Sequence, residues 1–165
     1  VVSEKAKYSL LLGSNGNTGY AVLVDLMNGQ IFWQKSLKFT SELAAGDFSI
    51  DNKEVYVAGA GIKVVRLDLK TGDITGEWQR DDYEVPTNKS KNILDVKISS
   101  NKKYLAAASD PSSTVYLWEL GKENLPAVIN SDNSHISRIT FSPDDKYIAS
   151  GGFRGVDKLE IWKIK

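Results

Sequence analysis

An all-β fold built from repeated sheets is predicted for this 165-residue chain by three observations. A Ser-centred signature recurs, an apolar strand follows each copy, and small or turn-forming residues close each strand. Three copies superpose directly: Phe48-Ser49-Ile50-Asp51-Asn52-Lys53, Ile98-Ser99-Ser100-Asn101-Lys102-Lys103 and Phe141-Ser142-Pro143-Asp144-Asp145-Lys146. A fainter fourth copy stands first, where Ser3 and Lys7-Tyr8 match Ser142 and Lys146-Tyr147.

Each copy predicts the same elements in order. The signature closes an innermost strand a. Strand b follows at Val55 to Ala58, Tyr104 to Ala108 and Tyr147 to Ser150, and turns at Gly59 to Gly61, Ser109-Asp110 and Gly151-Gly152. Strand c is Val22 to Leu26, Val64 to Leu69, Val115 to Leu120 and Leu159 to Ile164. Outer, more polar strands d are predicted at Gln30 to Leu37, Asp73 to Gln79 and Ala127 to Asn130, the first two after the turns Met27-Asn28-Gly29 and Lys70-Thr71-Gly72. Ser3, Ser49, Ser99 and Ser142 lie 46, 50 and 43 residues apart. That is close to the ~40 to 45 residues of a four-stranded propeller blade. The expected architecture is therefore a β-propeller segment of four blades with essentially no helix, at about residues 1–40, 41–80, 93–132 and 133–165, with a long polar loop at 79–92.

Val1 and Val2 fall at the end of strand a, so the first blade is expected to be truncated there, and the last blade stops after strand c. An open ring leaves unpaired edges and an uncovered blade face. Completion is expected from the missing blades of a longer chain or from a second copy.

Composition narrows the function. Lys plus Arg and Asp plus Glu number 21 each, so no global field attracts nucleic acid or an anionic membrane. There is no Cys and one His, which excludes thiol chemistry and Cys-ligated metals and leaves few acid–base arrangements. No apolar run approaches the ~18 residues of a membrane-spanning helix. The expectation is a cytoplasmic protein with no cofactor, no metal and no catalytic residues.

His135 followed by Ile139-Thr140-Phe141-Ser142-Pro143-Asp144-Asp145-Lys146-Tyr147-Ile148-Ala149-Ser150-Gly151-Gly152, and then by Leu159-Glu160-Ile161-Trp162-Lys163, resembles a WD40 repeat. Val115 to Leu120 is similar to the same family's strand c, with Glu119 where Asp is usual. The first two blades lack the Gly-His pair and the Trp, and resemble the looser quinoprotein-like and lactonase-like propellers. The resemblance implies a structural relay of His135, Ser150 and Trp162; its acid has no clean match, Asp157 being one residue and Asp110 two from the expected place.

Other motifs carry less. Gly13, Gly16 and Gly19 lack the Lys-Ser/Thr of a phosphate loop and suit a b–c hairpin. Trp33, Trp78, Trp118 and Trp162 fit blade packing, and the Asp81-Asp82 and Asp144-Asp145 pairs are expected to be solvated. Loops joining d to a and b to c share one propeller face, and the resemblance implies that partners bind there. On it fall Asn15, Arg80, Asp82, Tyr83, Phe153 and Arg154, with the aromatic and Arg types that anchor interfaces. The leading expectation is a non-enzymatic scaffold for a protein or peptide partner. The alternative is part of a lactonase-like or quinoprotein-like propeller enzyme whose active centre lies outside this chain.

Overall fold

The computed structural model describes residues 1–16, 18–39, 43–80, 92–110, 113–122, 125–133, 135–152 and 158–164. They form four antiparallel sheets, each a meander in chain order. Blade 1 holds β1 (Tyr8–Asn15), β2 (Thr18–Asp25) and β3 (Gln30–Lys38). Blade 2 holds β4 (Leu43–Phe48), β5 (Glu54–Gly59), β6 (Lys63–Asp68) and β7 (Ile74–Gln79). Blade 3 holds β8 (Asn92–Ile98), β9 (Tyr104–Asp110), β10 (Thr114–Glu119) and β11 (Ala127–Asn130). Blade 4 holds β12 (Arg138–Phe141), β13 (Tyr147–Gly151) and β14 (Glu160–Lys163). Val2 bridges Ser9, and Val1 and Leu10 exchange backbone bonds of 2.9 and 2.8 Å, so Val1-Val2 sit where strand a of blade 1 belongs. The one helical feature among the described residues is a 3-10 turn at Glu4–Ala6.

The Ser signature is a turn that repeats in all four blades. Ser3, Ser49, Ser99 and Ser142 each donate a backbone N–H to the carbonyl five residues on, and each carbonyl accepts from the amide three residues on. In each, the side-chain oxygen also accepts the amide five residues on, at 2.8 to 3.0 Å. Where the second residue after the serine is Asp51, Asn101 or Asp144, the hydroxyl donates to it. The fourth residue of the turn, Ala6, Asn52, Lys102 or Asp145, has φ between 49° and 59°. One hydroxyl thus satisfies an amide at the start of strand b, a partly buried one in the first three turns. Ser99 is fully buried, and Ser99→Ala is expected to cost about 1–2 kcal/mol. Urea unfolding would read this as a lower midpoint at unchanged slope.

Blades stack face to face with an apolar cluster at each of the three junctions. In β5, Val55 and Val57 face blade 1 while Tyr56 and Ala58 face blade 3, and all four are fully buried. A strand covered on both faces loses the polar alternation of a surface strand. In the end blades burial alternates instead: Leu10 is buried beside Leu11 at 55% exposure, and Ile148 is buried beside Tyr147 at 41%.

Candidate interaction face

In each sheet the end of strand b and the start of strand c lie at the same end as the start of strand a and the end of strand d, where those strands are described. Asn15 is exposed there at the end of β1, as the sequence implies. Arg80 follows β7 and is half-buried, with its guanidinium 5.6 Å from the ring centroid of buried Tyr116 in blade 3. A cation over an aromatic face holds two blades together. Arg80 is therefore a junction residue as well as one at the loop end. Asp82, Tyr83, Phe153 and Arg154 lie outside the described residues, as do Asp157 and the Asp81-Asp82 pair.

The relay takes a different form from the one the sequence implies. His135 Nδ1 meets the carboxylate of Asp110, at the end of β9 in the preceding blade. Ser150 is buried in β13 and its hydroxyl has no hydrogen-bond partner among the described residues, so the His135 to Ser150 link is not made. Trp162 packs half-buried on the cluster between blades 3 and 4. The histidine is drawn across the junction because Asp110 brings it a carboxylate.

Beside it lies a polar knot that sequence reasoning missed. Buried Asn133 donates to the Lys158 carbonyl at 2.7 Å and accepts from the Lys158 amide at 2.6 Å. The Glu160 carboxylate accepts from Ser131 Oγ, from the Asp132 amide at 3.0 Å and from Asn133 Nδ2 at 3.2 Å. These bonds fix the loop entering blade 4 to the start of β14. A shallow depression of about 250 Å³ marks the same face at the junction of blades 1 and 2, between Lys38, Phe39 and Lys63.

The acidic side chains of the inner strands are engaged with neighbouring blades. Asp47 in β4 accepts the Ile98 amide of β8 at 3.1 Å and faces the Lys97 ammonium at 3.4 Å. Burial raises the Asp47 carboxyl above its ordinary value, against the pull of Lys97 and of the Ile98 N–H. Asp95 in β8 accepts the Ile139 amide of β12 at 3.0 Å and the amide of Val96 at 3.0 Å. Asp145, one of the pair expected to be solvated, is buried: it accepts the Ser100 and Asn101 amides of the blade 3 turn at 3.0 and 2.8 Å. Turn packing between blades brings two bare amides to that carboxylate.

Comparison with known proteins agrees with this geometry. The family described as WD domain, G-beta repeat matches residues 126–158, which run from β11 through β13 and include His135 and Ser150. The chain is 30% identical over 105 residues, 64% of its length, to the outer membrane protein assembly factor BamB of Kangiella koreensis, and the match spans 26% of that relative. Among solved structures, hydrazine synthase of Kuenenia stuttgartiensis superposes with a TM-score of 0.76 at 15% identity, over 98% of this chain and 44% of that one. The chain thus spans about a quarter and under half of the lengths of these two proteins.

Proposed function

Because the chain is a WD40-like β-propeller segment of four blades, we propose that it is a non-enzymatic interaction scaffold that presents the b–c and d–a loop end to a protein or peptide. The observation that carries this reading is where the reactive side chains go. Asp47, Asp95 and Asp145 are occupied by backbone amides of adjacent blades, and the single histidine is paired with Asp110. Side chains that fasten blades to each other are poorly placed to break bonds in a substrate. The name of the BamB relative, an assembly factor, supports a protein as the partner class.

The test is capture of partners from cell extract on the immobilised protein. The double substitution Tyr83→Ala with Arg154→Ala is expected to abolish capture while the β circular-dichroism spectrum stays intact. Undiminished capture would remove the loop end from the proposal.

A further inference from the structure

Two asparagines of the chain stand before glycine, Asn15-Gly16 at the tip of the b–c hairpin of blade 1 and Asn28-Gly29 in its c–d turn. Glycine brings no β-carbon and the freest backbone, so its amide nitrogen reaches the preceding side chain with the least hindrance. Both pairs are exposed, so access to water does not tell them apart; their hydrogen bonds do.

At Asn28 the groups that would react are tied down. The Gly29 amide donates to the Asp25 carbonyl at 2.8 Å, and Asn28 Oδ1 accepts the Gln30 amide at 2.9 Å. The Asp25 carboxylate braces the same turn by accepting the Met27 amide at 2.8 Å. At the hairpin tip neither group is held: the Gly16 amide and the Asn15 carboxamide have no hydrogen-bond partner among the described residues. Asn15 is kept in place by its pairing with Thr18, the last rung of the β1–β2 ladder. Ladder ends open at little cost, and release of that one rung lets the Asn15 carboxamide turn over the Gly16 nitrogen.

We propose that Asn15 is a self-modification site, at which the side-chain amide leaves as ammonia and the loop end gains a carboxylate, while Asn28 is preserved by its turn. The Gly16 nitrogen, on releasing its proton, bonds to the side-chain carbonyl carbon of Asn15. The bond from that carbon to the side-chain nitrogen breaks, and ammonia departs with the proton. Water then adds to one carbonyl of the resulting five-membered imide and breaks that carbon's bond to the Gly16 nitrogen. Attack at the side-chain carbonyl leaves aspartate in an ordinary main chain. Attack at the main-chain carbonyl leaves isoaspartate, whose main chain is lengthened by a methylene. Amide and water are exchanged for carboxylate and ammonium, and nothing is oxidised or reduced. The new charge stands on the candidate interaction face, so its effect on a partner rests on the scaffold reading, whereas the modification itself does not.

The folded protein is held in warm buffer while the side-chain amide signals of Asn15 and Asn28 are followed by NMR, and fragment mass spectra locate each new carboxylate. The Asn15 signals are expected to decay at least about 10-fold faster than those of Asn28, the contribution of two hydrogen bonds. In denaturant, where the turn bonds are gone, the two rates should converge. Gly16→Ala, which sets a methyl group beside the attacking nitrogen, is expected to slow the loss at Asn15. The added β-carbon meets nothing within 4 Å, but φ at Gly16 is 59°, which strains alanine. Asn15→Gln avoids that strain: it keeps an amide, requires a larger ring to close, and is expected to stop the reaction. Equal rates at the two sites in the folded protein, or a difference that persists in denaturant, would overturn the proposal. Partner capture is expected to fall as carboxylate accumulates in the parent, and to stay constant with age in Asn15→Gln at whatever level that variant begins. Carboxylate formed at Asn15 with capture undiminished would leave the modification site standing and count against Asn15 as a partner contact.

Discussion

Trp33→Ala is expected to lower the stability of the protein by about 3–5 kcal/mol, the largest effect of any single substitution considered. The indole spans the junction of blades 1 and 2, packs on the apolar cluster there, and donates to the Leu69 carbonyl. It also touches Gly72, where a β-carbon would come within 2.9 Å of the ring. Deletion leaves a hole between two blades that can close only by moving whole sheets, and it leaves that carbonyl without its donor. Trp33→Phe retains most of the ring and separates the two contributions, with an expected loss of about 1–2 kcal/mol from the missing N–H. Denaturant unfolding of both variants gives the values. A loss under about 1 kcal/mol for Trp33→Ala would show that the outer ends of the blades are not coupled through this residue.

Asp95→Ala should cost about 2–3 kcal/mol, although it removes no apolar surface. Asp95 is 7% exposed, and its two oxygens accept from Val96 in its own strand and from Ile139 in the next blade. Ile139 is itself 3% exposed, so its amide cannot turn to water when the carboxylate is gone. The penalty is that of a buried donor left unpaired. Hydrogen exchange reads it directly: the Ile139 amide should exchange at least about 10-fold faster in the variant than in the parent protein. Unchanged protection would mean that another acceptor takes over and that the inner strands do not depend on the bond.

The strands could be read from the sequence because each is short, apolar and bounded by the same turn. Strand b at Tyr104 to Ala108 appears as β9, Tyr104–Asp110, and the outer strand at Ala127 to Asn130 appears with those bounds as β11. The bonds between blades could not be read, for a geometric reason. Asp47 stands two residues before Ser49 and Asp95 four before Ser99, so the two carboxylates occupy different columns of the repeat. Both lie an even number of residues before the serine and so face the next blade, but no pattern of residue types announces which main-chain amide each will meet there. Asp145 likewise looks like a loop acid beside Asp144 until the turn of blade 3 packs against it. At the loop end, Asn15 and Arg80 could be placed, Arg80 with a packing role invisible in sequence, and the other four positions fall outside the described residues.

Who must match whom follows from the chemistry of those carboxylates. Asp47, Asp95 and Asp145 each reach into a neighbouring blade, and apart from the Lys97 ammonium opposite Asp47 what they find there is main chain, the amides of Ile98, Ile139, Ser100 and Asn101. Every residue except proline offers that group. At these bonds the blade that supplies the amide is released from any obligation to keep a particular side chain there, and only the blade that supplies the carboxylate carries a chemical commitment. Copies of one ancestral unit joined by such one-sided bonds can drift apart without coordinated change. A chain whose first blades lack the WD40 signature that its last blade displays can, on this basis, still stack as one series.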